Sequence, residues 1–165
     1  MEQRARIGGI FEVVCLRPDG LVRWSESIHN LVTSEGLDHL LNALLHGSTQ
    51  VSPWYVGLKN TGSGAAGDTL ASHAGWTENS AYSGGSRPEY VEAAASGQSV
   101  TNSASRASFA INTDGQTIAG AFLASVASGT SGTLLCVGDF SGAKSCGSGD
   151  TVEVTYTLSA ADDGV

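Results

Sequence analysis

The C-terminal segment carries the pattern that most constrains the fold. In "TVEVTYTLSA", residues 151–160, large apolar side chains fall at every second position: Val152, Val154, Tyr156 and Leu158. The residues between them, from position 151 to 157, are three threonines and one glutamate. Period-two alternation puts apolar side chains on one face of a strand and polar side chains on the other. The segment therefore predicts a strand with one face on a core and one face towards water.

Further β-prone runs, separated by turns rich in Gly, Ser and Asp, occupy most of the chain. They are residues 7–17, 21–29, 53–58, 76–82, 87–93, 98–104, 106–112, 117–125 and 133–140. The first two are joined by "RPDGL", in which Pro presets φ and Gly accepts a positive φ, so a hairpin is expected. Many short strands at this spacing predict a mainly β fold, either an antiparallel β-sandwich or a barrel-like domain.

One amphipathic helix is predicted at about residues 34–46. Thr33 or Ser34 can cap its N-terminus, and Gly47 can end it. Its leucines follow the helical period i, i+3, i+4, i+7 and i+8 and form one apolar stripe, which we expect to pack on a sheet. They are Leu37, Leu40, Leu41, Leu44 and Leu45.

The chain divides into three predicted parts. Residues 10–160 form a single β-rich domain, since 165 residues suit one domain. Residues 1–9, "MEQRARIGG", are predicted to be an arm with two arginines, Arg4 and Arg6. The arm either docks on an acidic shell or adds a strand to a neighbour's sheet edge. Residues 161–165 are polar and form a loose tail.

Composition and charge argue against several partners. Charged residues make up 15% of the chain, whereas about 25% is usual in soluble domains. The net charge of −8 argues against nucleic-acid binding, which needs clustered Lys and Arg. No membrane association is expected, because no apolar run reaches the length of about 18 residues that a membrane span needs. The N-terminus lacks the apolar core of a signal peptide, so synthesis in the cytoplasm is expected.

The chain has three cysteines. Cys15 and Cys136 lie in apolar runs, where a free cysteine usually acts as a small buried hydrophobe. Cys146 lies in "SGAKSCGSGD", which we expect to be an exposed loop. It is either an unpaired loop thiol or part of a disulfide, to another subunit or to Cys136. A bond between subunits through Cys146 or Cys15 would form after release from the cell, because the cytosol keeps thiols reduced.

No set of residues predicts catalysis, a metal or a cofactor. Ser72, His73 and Asp68 could be drawn as a triad, but no nucleophile elbow accompanies them, and neighbouring side chains on one turn point apart. The two histidines of the helix, His39 and His46, are seven residues apart, which is longer than the i, i+4 spacing that metal pairs favour. The glutamates near residues 78–92 show no sign of the buried, proton-holding member that a glycosidase needs.

The aromatic residues allow two interpretations. They could form a sugar-binding platform, or they could pack across strands in the core. The second interpretation is favoured because all lie in or beside predicted strands. They are Trp24, Trp54, Tyr55, Trp76, Tyr82 and Tyr90.

A series of segments resembles a group of small structural proteins of tailed bacteriophages and prophages, over roughly residues 20–160. The segments are "HNLVTSEGLDHLL", "WYVGLKN", "DTLASHAGWTENSAYSGGSRPEY", "NSASRASFAIN", "TIAGAFLAS", "GTLLCVGDFSGAKS" and "GDTVEVTYTLS". The resemblance implies a virion protein without catalytic residues. For such a structural protein, we expect residues 68–73 to form a turn that includes His73 and brings Trp76 into the core of the domain. We expect Trp54 to belong to the core as well.

These observations lead to three functional hypotheses. The first is a non-enzymatic capsid decoration or cement protein, which binds the major capsid protein or other virion proteins as a dimer or trimer. The second is a structural protein of the tail, neck or fibre. The third, from another class, is a carbohydrate-binding module that uses the aromatic residues of 76–90.

Overall fold

The computed structural model describes residues 4–162 as two antiparallel β-sheets and one helix, α1. The elements are β1 (Ala5–Leu16), β2 (Val22–His29), β3 (Leu31–Val32), α1 (Ser34–Leu45), β4 (Trp54–Gly62), β5 (Trp76–Asn79), β6 (Glu89–Tyr90), β7 (Ser99–Thr101), β8 (Ala107–Ala110), β9 (Gln116–Ala124), β10 (Leu134–Cys146) and β11 (Thr151–Asp162).

The first sheet has the order β2-β1-β11, and both β7 and β8 pair with β11. The second sheet has the order β3-β10-β9-β4, and both β5 and β6 pair with β4. Within residues 4–162 neither sheet closes on itself, so the predicted mainly β fold is confirmed as a sandwich and not a barrel.

Strands β1 and β11 form the long central ladder of the first sheet. Their register runs from Ala5 opposite Asp162 to Leu16 opposite Thr151. The predicted hairpin is present, and its turn ends at Gly20, which has a φ of +81°. Strand β1 includes residues 5–9 of the predicted arm, and β11 includes the first two residues of the predicted tail. Residues 1–3 and 163–165 lie outside the described residues.

The core lies between the sheets and shows the alternation seen in the sequence. Val152, Val154 and Tyr156 of β11 are fully buried. The Tyr156 ring packs on Phe11 of β1 with centroids 4.4 Å apart. From the opposite sheet, the Cys136 thiol donates a hydrogen bond to the Tyr156 hydroxyl at 3.3 Å. These contacts join the sheets at their centre.

Helix α1 forms where it was predicted, but a different side of it is buried. The Thr33 hydroxyl caps the helix by accepting from the Gly36 N–H at 3.0 Å, and it donates to the Leu134 carbonyl at 2.6 Å. The helix meets β10 at Gly36 and meets the core at Leu40. The prediction that the whole leucine stripe packs on a sheet is therefore wrong. The part of the chain that the structure describes contains no helix with both the length and the hydropathy of a membrane span.

Candidate functional site

One side of α1 presents an apolar surface to solvent, here called the leucine face. Its four leucines are between 41% and 79% exposed: Leu37, Leu41, Leu44 and Leu45. The buried side of the helix carries a glycine instead, since Gly36 is buried against the backbone of Leu135. Because the glycine has no Cβ, the helix approaches β10 on that side, and the leucines are directed elsewhere.

An apolar groove of about 740 Å³ adjoins the helix. Leu40 of α1 lines it together with inner-face residues of the first sheet, Ile7, Val100, Leu158 and Ala160. Arg4 and Asp162 lie at the same groove and are its charged members. Leu37 and Leu44 are the i−3 and i+4 neighbours of Leu40 on the helix, so the leucine face lies beside the groove. We treat the two together as the candidate contact surface.

The groove exists because the first sheet continues beyond the covered part of the core. Ile7 is on the same face of β1 as Phe11 and Val13, since these positions differ by even numbers of residues. Phe11 and Val13 are fully buried, whereas Ile7 is 39% exposed. The inner face of the sheet is therefore covered at Phe11 and open at Ile7.

The two arginines of the predicted docking arm differ in position. Arg4 lines the groove. Arg6 is exposed within β1, where it lies opposite Ala161 of β11. Arg4 therefore directly precedes the central ladder, and Arg6 is part of it.

His73 and Asp68 both bind Trp76. The His73 ring stacks on the Trp76 indole with centroids 4.0 Å apart, and its Nδ1 lies 3.0 Å from the Trp76 carbonyl oxygen. The indole Nε1 donates to Asp68 Oδ2 at 2.9 Å. Trp76 is only 3% exposed. The structure thus brings the drawn triad residues His73 and Asp68 together around an indole, each engaged with Trp76.

The other aromatic candidates also make contacts within the protein. Tyr82 and Tyr90 are buried, and the Tyr90 hydroxyl lies 3.1 Å from both the Val100 and the Tyr156 carbonyl oxygens, which share its one proton. Trp54 is half-buried and meets the His39 ring at a centroid distance of 5.4 Å. The Trp24 indole donates to the Ser145 carbonyl at 2.9 Å.

Two buried cations were not singled out from the sequence. Arg87 makes two hydrogen bonds to the Glu78 carboxylate, at 2.8 and 2.7 Å, and donates to the Val126 and Gly129 carbonyls. The fully buried Lys59 forms an ion pair of 2.7 Å with Asp139. Their charged partners, Glu78 and Asp139, lie on other strands, so no local spacing in the sequence marks these ion pairs.

The position of Cys146 differs from the prediction. The sequence predicts an exposed loop at this position, but Cys146 is the last residue of β10 and only 3% exposed. The reason is that β10 extends through "SGAKSC", whose pairing with β9 resumes after a register shift between Asp139 and Lys144. Cys146 Sγ lies 3.8 Å from Cys15 Sγ, and all three cysteines are free and buried.

Comparison with known proteins identifies a family. The family described as podophage GP4 fiber I protein gp80 matches residues 32–158, which is well over half of the chain. The matched region begins within β3 and ends within β11, so it includes α1, nearly all of the second sheet, and β7, β8 and most of β11 of the first sheet, but neither β1 nor β2. None of the curated proteins matches the chain. The resemblance seen in the sequence is confirmed: the chain belongs to the podophage GP4 fiber I protein family and is a structural component of a tailed-phage virion.

Proposed function

We propose that the protein is a non-enzymatic fibre component of the virion and that it self-associates through the leucine face of α1. The observation that carries the proposal is the exposure of that face in a protein whose family is described as a phage fibre protein. A large exposed apolar patch on a folded domain marks a site that another surface covers.

The shape of the surface supports contact between copies of the chain. The leucine face is a ridge, and the adjoining apolar groove at Leu40 and Ile7 is a concavity. When two copies meet here, the leucines of one copy can enter the groove of the other, and apolar surface on both copies is removed from water. Each copy carries a net charge of −8. Apolar burial is therefore needed to offset the repulsion between copies.

A non-enzymatic role is supported by how the candidate catalytic groups are used. His73 and Asp68 hold Trp76, and Glu78 holds Arg87. The aromatic residues of 76–90 are used in the same way, since Trp76, Tyr82 and Tyr90 are buried. A sugar platform needs such rings at the surface, so the carbohydrate-binding hypothesis has less support than the fibre hypothesis.

Capsid decoration is the second candidate. A low fraction of charged residues, 15%, eases close contact with neighbours on a shell as much as within a fibre. The family description favours the fibre, because it names a fibre protein. The two candidates differ in copy number, since a decoration protein accompanies the major capsid protein over the whole shell.

The self-association is tested with a double variant of the leucine face, Leu41→Glu with Leu44→Glu. Light scattering coupled to size-exclusion chromatography gives the mass, and circular dichroism reports the fold. We expect the wild-type protein to be a dimer or trimer and the double variant to be a monomer with an unchanged spectrum. Asn42→Glu is the matched control, because Asn42 is exposed on the same helix. A monomeric wild-type protein, or an oligomeric double variant, would contradict the proposal.

A further inference from the structure

Two cysteines from opposite sheets meet inside the sandwich. Cys15 belongs to β1 of the first sheet and Cys146 to the end of β10 in the second. Their sulfur atoms are 3.8 Å apart, although the residues are 131 positions apart in the sequence. Both side chains are buried. The pair therefore lies at a place where a single covalent bond would join the two layers of the fold.

A buried carboxylate accompanies the pair. Asp150 Oδ2 lies 3.8 Å from Cys15 Sγ and accepts from the Gly147 N–H at 2.8 Å. Arg23 Nε lies 2.8 Å from the same oxygen, and Arg23 Nη2 lies 3.2 Å from the other. The turn from Gly147 to Asp150 directly follows Cys146. Local opening of this turn would uncover the neighbouring Cys146.

The same three side chains could be considered as ligands of a metal ion, since their ligand atoms lie within 4.8 Å of one another. Two features favour bond formation between the sulfurs instead. Both oxygens of the Asp150 carboxylate are already engaged by the Arg23 guanidinium, whose positive charge opposes a cation at that place. Moreover, the group offers three ligands, whereas structural zinc sites use four.

We propose that Cys15 and Cys146 are an oxidisable pair that forms an intrachain disulfide between the two sheets once the virion has left the cell. The oxidant is a low-molecular-weight disulfide of the oxidised glutathione class. The cytosol keeps thiols reduced, so the pair stays reduced during assembly and is oxidised after lysis. We propose this Cys15–Cys146 bond in place of the two bonds that the sequence left open, from Cys146 to another subunit or to Cys136.

The reaction proceeds by two exchanges. Cys146 loses its proton and attacks one sulfur of the small disulfide, whose S–S bond breaks to release one small thiol. Cys15 then loses its proton and attacks the Cys146 sulfur of the mixed disulfide, which releases the second small thiol. In sum, two protein thiols are oxidised to one disulfide, and one small disulfide is reduced to two thiols that take up the two protons.

Burial makes the thiols slow to react. It raises the pKa of the Cys15 thiol, and the neighbouring Cys146 raises it further. Burial also raises the pKa of the Cys146 thiol. Because the thiolate is the nucleophile, the exchange is expected to be slow at neutral pH and faster as the pH rises. Asp150 also raises both pKa values, and Arg23 lowers them.

The test uses the purified full chain in glutathione buffers of increasing oxidised fraction. Free thiols are alkylated after unfolding, and the cross-linked peptides are identified by mass spectrometry. We expect a single Cys15–Cys146 link in a protein that remains unlinked to other copies on non-reducing gels. Oxidation is expected to raise the thermal midpoint by about 10 °C, the order typical of a disulfide that closes a long loop.

Two variants separate the pair from the third cysteine. Cys146→Ala should abolish the shift in the midpoint, and Cys136→Val should retain it. A link that involves Cys136 or a second copy would overturn the proposal, as would three alkylated thiols in the fully oxidising buffer. Stoichiometric binding of added Zn²⁺ by the reduced wild-type protein, lost in Cys146→Ala, would assign the pair to a metal site and would also overturn it. The peptide map of the wild-type protein decides the question even where a variant fails to fold.

Discussion

Gly36 of α1 packs directly on the backbone of Leu135 in β10, and a Cβ at Gly36 would overlap the Leu135 carbonyl group. This contact sets which side of the helix faces the sandwich. It also explains why the four leucines of the leucine face remain exposed. The candidate assembly surface thus depends on a single residue without a side chain.

We predict that Gly36→Ala destabilises the protein, because the added methyl group must push the helix away from a backbone that cannot yield. The expected loss in the free energy of unfolding is about 1–3 kcal/mol, the range for overpacking. Urea denaturation followed by circular dichroism measures it. Gly142→Ala in β10 is the matched control, since a Cβ there meets nothing within 4 Å. Equal effects of the two substitutions would show that the close approach is unimportant.

Removal of the Arg87 side chain should be far more costly than removal of an exposed arginine. Arg87→Met leaves the Glu78 carboxylate and the Val126 and Gly129 carbonyls without their donor. Breaking a buried ion pair typically costs about 3–5 kcal/mol. Arg106→Met removes an ion pair to Glu153 that lies at the surface, and such pairs are worth at most about 1 kcal/mol. Chemical denaturation of both variants gives the comparison, and a small loss for Arg87→Met would contradict it.

The stacking of His73 on Trp76 predicts a role in stability. His73→Ala removes a ring contact and a hydrogen bond to the Trp76 carbonyl. An aromatic pair of this kind is worth about 1 kcal/mol, so we expect a loss of that order. His46→Ala serves as the control because His46 is exposed at the end of α1. Thermal unfolding of the two variants measures the difference, and identical midpoints would rule out the structural role.

The burial of the Cys136 thiol predicts that the free energy of unfolding falls at alkaline pH. Burial raises the pKa of its thiol from the ordinary value of 9.0 to about 11. Between these values the unfolded chain releases the proton and the folded chain keeps it, so the stabilising contribution is complete below pH 9 and is lost as the pH rises towards 11. The contribution is about 3 kcal/mol, the equivalent of two pKa units.

Denaturation in a reducing buffer at pH 8 and pH 11 tests this prediction. The Cys136→Val variant lacks the titrating thiol, so its free energy of unfolding should fall less between the two pH values than that of the wild-type protein. Other groups that titrate in this range are common to both proteins. The prediction is wrong if the two proteins lose the same free energy.

The sequence predicted those features that arise from local patterns. Strand β11 alternates apolar and polar residues, and its apolar residues Val152, Val154 and Tyr156 are buried, as expected for a strand with one face on the core. The turn at Gly20 and the cap at Thr33 also follow from the residue types at those positions. Such features depend on neighbouring residues in the chain, so a single sequence contains the information.

Features that depend on distant residues were not predictable in the same way. The leucine stripe of α1 has the period of a buried helix face, but the contact of Gly36 with Leu135 turns it outwards. The burial of Cys146 follows from the length of β10 and from the position of Cys15 in the opposite sheet. Both contacts join residues about a hundred or more positions apart, and no local pattern encodes them.

The copy number of the protein in purified virions, measured by quantitative mass spectrometry against the major capsid protein, tests the fibre assignment most directly. We predict a copy number far below that of the major capsid protein and an integer multiple of the oligomer size found in solution. A copy number similar to that of the major capsid protein would contradict the fibre assignment and would support capsid decoration.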